Sequence, residues 1–182
     1  METYIAILRG INVSGKKLIK MEDLRKHLQD IKLKDVKTYI QSGNIVFNYP
    51  TTNQKELATL ISDKIKKEYG FDVPVIVLNQ LELKYISENN PFINERNEDT
   101  SKLAVTFLSE EADADKSIAL YTLNDSPNEF IIAGKVIYLL CPNGFSNSKL
   151  TINFIENKLK LTASSRNWNT VVKLLGMAST YS

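Results

Sequence analysis

Five consecutive apolar residues, Tyr4-Ile5-Ala6-Ile7-Leu8, run without a polar interruption into Arg9-Gly10-Ile11-Asn12-Val13. A strand with one wet face alternates apolar and polar positions, so a short run with no polar position suits a strand covered on both faces. The polar cluster then falls where a buried strand surfaces, a place where many folds build binding sites. Tyr39-Ile40-Gln41-Ser42-Gly43-Asn44 echoes the arrangement, with glycine, amide and hydroxyl groups after a β-prone run.

The rest of the first half follows from spacing. Met21, Leu24, Leu28 and Ile31 recur at helical intervals after the loop at 9–20. Val36 to Gln41 and Ile45 to Tyr49 read as strands joined across Ser42-Gly43-Asn44, a hairpin signal. Asn53 with Glu56 resembles a capping pair for a helix carrying Leu57, Leu60, Ile61 and Ile65 and ending at Gly70. Phe71 to Leu78 reads as a strand, and Pro74, which has no N–H to donate, assigns it to an edge or a bulge. The order β-α-β-β-α-β is the ferredoxin-like one.

The second half begins with a short helix over 80–89, broken at Asn90-Pro91, and a polar loop from Glu95 to Ser101. A strand over 102–108 and a weaker helix over 112–121 follow. Glu129 to Ala133 and Val136 to Cys141 pair around Gly134, and 148–160 is helical. A final helix carries Trp168, Val171, Val172 and Leu175 and ends at Gly176. The element order is β-α-β-β-α-α. The predicted fold class is therefore α+β, two ferredoxin-like (βαββαβ-type) lobes with sheets covered by helices. An N-terminal ferredoxin-like lobe is expected over 1–79 and a C-terminal α+β lobe over 80–182, the two forming either separate lobes or one compact domain.

Several function classes drop out. With one histidine, His27, and one cysteine, Cys141, a zinc site of the usual nitrogen and sulfur ligands cannot form within the chain. No GxxxxGK[ST], GxGxxG or GxSxG pattern occurs, which argues against phosphate-loop and nucleophile-elbow chemistry. The carboxylates concentrate in a surface-like middle segment and form no matched acid and base. No apolar run approaches the roughly 20 residues that span a bilayer, and Met1-Glu2-Thr3 lacks the basic start of a signal peptide. The expectation is a cytoplasmic protein with no membrane partner and no metal. Catalytic residues, cofactor and oligomeric state are left unassigned.

The charge distribution points toward anions. Residues 16–37 carry eight Lys/Arg against four Asp/Glu, and 149–182 carry five against one, while 80–130 carry four against eleven. Two basic segments flanking an acidic middle are either solvated helix faces or, if they meet, an anion-attracting surface. Arg9 and Asn12 leave the first strand, and Ser14-Gly15-Lys16-Lys17 adds flexible backbone and two ammonium groups. Gln41, Ser42 and Asn44 form a second cluster that turn chemistry alone also explains. Thr162-Ala163-Ser164-Ser165-Arg166-Asn167-Trp168 forms a third. There Ser164 or Ser165 would cap the last helix, and Arg166 in its first turn would oppose the helix dipole unless an anion docks there. Trp168 shares core spacing with Val171, Val172 and Leu175.

Tyr4 to Val13, Thr38 to Asn44 and Arg166-Asn167-Trp168-Asn169-Thr170-Val171 together resemble the family called domain of unknown function (DUF) 1697, and Met21-Glu22-Asp23-Leu24 and Asn90-Pro91-Phe92 fit the same pattern. The resemblance runs over about residues 3 to 178 and implies a compact α+β protein with no established biochemical role. It places the signature segments on Arg9, Gly10, Asn12, Gln41, Ser42, Gly43, Asn44, Arg166, Asn167 and Thr170. Ser14 stands where the family pattern often has glycine, and Ser164-Ser165 where threonines are usual.

The first functional expectation is a cleft between the lobes that binds a polar or anionic small molecule or nucleotide. Its ligand-binding residues would be Arg9, Asn12, Lys16, Lys17, Gln41, Ser42, Asn44, Arg166, Asn167 and Thr170. The alternatives are a nucleic-acid-binding module, since RNA-binding sheets share the element order, and an interaction or structural protein without a small ligand.

Overall fold

The computed structural model describes residues 1–181, which divide into two compact units. One comprises residues 1–84 together with the chain from Lys173 onward, and the other comprises Tyr85–Val172.

In the first unit, β1 (Glu2–Leu8), α1 (Met21–Asp30), β2 (Lys34–Tyr39), β3 (Asn44–Tyr49), α2 (Gln54–Tyr69) and β4 (Val75–Asn79) follow in the predicted order. The strands form an antiparallel sheet in the order β2-β3-β1-β4. Consecutive strands β3 and β4 are separated in space by β1, the interleaving that defines the ferredoxin-like fold. Tyr4, Ala6, Leu8, Ile45 and Phe47 pack against Leu24 and Leu28 of α1 and Leu57, Ile61 and Ile65 of α2. Each of these leucine, isoleucine and phenylalanine side chains contributes about 1.5–3 kcal/mol by leaving water. On the opposite face Ile5, Ile7 and Val46 are also fully buried. This two-sided burial is the physical reason for the unbroken apolar run.

Local signals set the ends of α2. The Asn53 side chain accepts from the Lys55 N–H at 2.8 Å, and Gly70 closes the helix in the left-handed region at φ 78°. Pro74 stands just ahead of β4, an edge strand, so its missing N–H costs no ladder bond, and its carbonyl accepts from Arg9 N–H at 3.0 Å.

α3 (Gln80–Glu88) ends before Asn90-Pro91, and Pro91 then opens the short α4 (Pro91–Asn94), with Asn90 Oδ1 accepting from the Phe92 N–H. In the second unit β5 (Leu103–Leu108), α5 (Ala114–Tyr121), β6 (Glu129–Ala133), β7 (Val136–Leu140), α6 (Ile152–Leu159) and β8 (Ala163–Asn167) form the antiparallel order β6-β7-β5-β8. This is the topology of the first sheet, with β5 in the place of β1. At the β6 edge, Tyr121 stacks on Phe130 with ring centroids 5.1 Å apart, and its hydroxyl accepts from the Ile132 N–H at 3.1 Å.

β8 corrects the reading of the second half as β-α-β-β-α-α. Residues 163–167 are not a loop capping the last helix; they pair with β5 from Leu108↔Ala163 to Ala104↔Asn167. The strand is polar because it lies at an edge, and the Ser165 hydroxyl bonds Thr106 Oγ1 across the ladder at 2.5 Å. The final helix, α7 (Trp168–Ser179), also runs past Gly176, where it was expected to stop. Leu174 and Ala178 complete its buried stripe, while Val172 is half exposed.

Asp125 organises the segment leading into α6. Its carboxylate accepts from Ser148 Oγ at 2.6 Å and from the Lys149 N–H at 2.8 Å. Burial alone would raise its pKa, but these donors, with Asn128 and the Leu150 N–H, hold it below the usual aspartate value. A folded pKa below the unfolded one adds stability that is present above the unfolded pKa and lost as pH falls through the folded one. Asp125→Ala is expected to cost about 2–3 kcal/mol at neutral pH. In urea denaturation the gap from wild type should narrow once the pH drops below about 4. A gap that stays constant with pH would show that the ionised carboxylate is not what holds this segment.

Candidate functional site

The first cluster builds a small rigid hairpin at the end of β1. The Asn12 N–H donates to Lys17 O at 3.1 Å and the Lys16 N–H to Val13 O at 2.9 Å. Ser14 and Gly15 at its tip have φ of 50° and 71°, the left-handed pair that a type I′ turn requires. The Asn12 side chain clasps the base. Its Nδ2 donates to Ile19 O at 3.0 Å and Gln41 O at 2.8 Å, and its Oδ1 accepts from the Ile19 N–H at 2.8 Å. Asparagine also tolerates the φ of 54° found there. Lys17 donates to Asp72 O at 2.6 Å, while Lys16 stands exposed.

The second cluster lies beside the first, as the hairpin pairing predicts. Asn44 is fully buried, and its Nδ2 donates to Tyr39 O and Ser42 Oγ, each at 3.0 Å. Gly43 has φ 83°, and its carbonyl accepts from the Leu8 N–H at 2.8 Å. A Cβ at Gly43 would sit 2.6 Å from Leu8 Cβ and 2.8 Å from Ile11 Cδ1. Asn12, Ser42, Gly43 and Asn44 therefore tie loop to strand, and Gln41 is left with its side chain exposed.

The third cluster belongs to the second unit. Arg166 lies on β8 opposite Val105, 8% exposed, with Nη1 donating to Ser164 Oγ at 2.9 Å and Ser165 O at 2.8 Å. Burial brings its pKa down to about 10. Its place on a strand removes the expected conflict with the dipole of the last helix. Asn167, rather than Ser164 or Ser165, caps α7, accepting from the Thr170 N–H at 2.9 Å, and Thr170 is buried.

Asn12 and Gln41 also line a groove of about 800 Å³ in the first unit, at the start of α1. Lys20, Asp23, Arg25 and Tyr69 line it too, and sequence reasoning assigned none of them. Among the described residues no side chain caps α1, whose preceding residue is Lys20, so the first-turn N–H donors carry the helix's partial positive charge toward the groove. Arg25 is held by Thr38 Oγ1 at 2.6 Å. Glu22 is drawn onto Lys26 at 2.8 Å. The Tyr69 hydroxyl is buried and has no hydrogen-bond partner among the described residues. Burial first, then the Asp23 and Glu68 carboxylates, raise its pKa. Tyr69 had no signal in the sequence, since it ends an ordinary helical stripe. His27 sits edge-on to Tyr69 with Nδ1 3.7 Å from Glu68, an arrangement that packs the ends of α1 and α2.

Fold and site together define a class: an α+β protein with two four-stranded antiparallel sheets of ferredoxin-like order, covered by helices. The family described as "Protein of unknown function (DUF1697)" matches residues 1–138, and the chain belongs to that family. It is similar to a conserved bacterial protein, SP0830, from Streptococcus pneumoniae, at 25% identity and a TM-score of 0.77. The similarity covers 97% of this chain and 98% of that one. No curated protein matches. Among the described residues, no helix is long and apolar enough to cross a membrane, and no group of three or more His, Cys, Asp or Glu could hold a metal ion.

The clasp can be tested directly. Gly43→Ala combines a left-handed φ with overlap onto Leu8 backbone-proximal atoms, and is expected to destabilise the protein by about 2–4 kcal/mol in urea denaturation. Asn12→Ala loses three hydrogen bonds and should cost about 2–3 kcal/mol. A change below about 0.5 kcal/mol in either would remove the structural role assigned here.

Proposed function

We propose that the protein binds a small anionic molecule that also carries hydroxyl groups, a sugar phosphate or nucleotide, in the groove at the start of α1. The observation that carries this reading is the buried Tyr69 hydroxyl, which has no partner among the described residues. A buried polar group left unpaired costs about 1–3 kcal/mol, a cost a ligand hydroxyl would remove. Tyr69 and Asp23 supply the donor and acceptor for such hydroxyls. Lys20, Arg25 and the uncapped first turn of α1 suit the phosphate. Arg9, Lys16 and Lys17 add to the positive field of residues 9–20, which contain four cations and no carboxylate. In this reading Asn12 and Gln41 line the groove, Ser42 and Asn44 hold the turn that carries Gln41, and Arg166, Asn167 and Thr170 support the second unit. The single, buried cysteine suits a reducing cytoplasm.

Thermal unfolding with ribose 5-phosphate, AMP, inorganic phosphate and ribose tests the proposal. At tenfold over its dissociation constant, a phosphorylated sugar should raise Tm by about 2–4 °C. Tyr69→Phe removes only a hydroxyl without a partner, so it should leave the free protein as stable or up to about 1 kcal/mol more stable. It should nevertheless reduce the response to ribose 5-phosphate. No response to any probe, or an equal response in Tyr69→Phe, would overturn the proposal.

A further inference from the structure

The second unit contains a separate cavity of about 330 Å³ on the helix-covered face of its sheet. Ala104 of β5 and Leu139 of β7, a cross-strand pair, form one wall, and Leu150 and Ile152 at the start of α6 form another. Cys141 and Phe145 come from the segment after β7. The volume falls in the range of about 300–1,000 Å³ typical of small-molecule sites.

Hydrogen bonds outside the cavity hold its walls in place. The Cys141 N–H donates to Lys102 O at 2.9 Å, and the Gly144 N–H to Cys141 O at 3.0 Å. Asp125 gathers Ser148 Oγ and the Lys149 N–H, and Ser148 Oγ accepts from the Leu150 N–H at 3.1 Å. Thr151 caps α6 by accepting from the Phe154 N–H at 3.2 Å. A cavity built this way asks little ordering of its walls when filled.

We propose that this cavity is a binding site for one small, uncharged aromatic ring. The walls are mostly apolar, and the polar side chains at its mouth are engaged within the fold. Ser148 is bound to Asp125, Ser165 to Thr106, and Asn167 Oδ1 to the Thr170 N–H. Arg166 also lines the cavity, but it alternates with Ser165 and Asn167 along β8, and its Nη1 donates to Ser164 Oγ and Ser165 O. A charged ligand would therefore lose its hydration without compensation, and an uncharged one would not. Phe145, 39% exposed at the rim, offers an aromatic edge, and the Cys141 sulfur offers the soft contact that ring edges favour. Burial first, and then the Asp125 charge, push the Cys141 thiol up to about 11, so it presents itself as neutral surface rather than thiolate.

Because Cys141 is the chain's single cysteine, its modification reports on this cavity alone. Millimolar indole should raise Tm by about 2–4 °C and slow reaction of Cys141 with a small methanethiosulfonate reagent by about threefold or more. Benzoate, of similar size but charged, should do neither. Ala104→Met fills the cavity and should abolish both effects. Phe145→Ser, at an exposed position, should weaken them without unfolding the protein. Both variants should keep the response to ribose 5-phosphate, which belongs to the other unit, so failure of one site does not decide the other. No effect of indole on wild type, an equal effect on Ala104→Met, or an equal effect of benzoate would each overturn the site.

Discussion

Leu8 and Gly43 approach so closely that only a hydrogen on the α-carbon fits between them, and much of the first unit depends on that approach. The Leu8 N–H reaches Gly43 O at the end of the β1–β3 ladder, where the hairpin turn folds over the strand end. The approach brings Gln41 O within reach of Asn12, and Asn12 in turn holds Ile19 by both its N–H and its carbonyl. Ile19 stands two residues before α1, so where that helix begins, and where its first-turn N–H groups point, follows from a contact at the end of the β1–β3 ladder. The polar residues of these segments serve mainly to bring backbone to backbone, and the groove is the space they leave.

The second unit repeats the topology of the first without repeating its sequence. What the fold demands of a central strand is burial on both faces, which β5 meets with Leu103 to Leu108 as β1 does with Tyr4 to Leu8. What it demands of an edge strand is much less. β4 meets it with Val75 to Asn79 and β8 with Ala-Ser-Ser-Arg-Asn, because one side of an edge has no ladder to satisfy and hydroxyls can pair across the other. Topology is set by the demanding positions, so two halves can share a fold with little residue identity.

The same distinction explains what was legible in the sequence. The central strands, the Asn53 cap, the Gly70 stop and the Gly43-Asn44 turn are local events with local chemistry, and each stands where its residues point. β8 was not legible because its apolar period is missing and its serines also read as helix caps. Their strand role is decided by Thr106, some sixty positions earlier. Gly176 read as a helix end, but packing of Leu174 and Ala178 carries α7 through it. The groove residues were hidden for a related reason. Lys20, Asp23 and Arg25 look like an ordinary solvated helix start, and only tertiary packing brings the Tyr69 hydroxyl, unpartnered among the described residues, to the same groove.

The β6 edge faces neighbouring molecules as well as its own sheet. Phe130-Ile131-Ile132 is an apolar edge segment of the kind that recruits strands from other molecules. The N–H of Ile132, which such a strand would seek, is already bound to the Tyr121 hydroxyl, with the ring stacked flat on Phe130. Glu129 at the start of the strand is held by Arg96 through two parallel hydrogen bonds. One tyrosine and one ion pair thus act as a terminus for the sheet, keeping an otherwise adhesive edge from templating growth between copies of the chain.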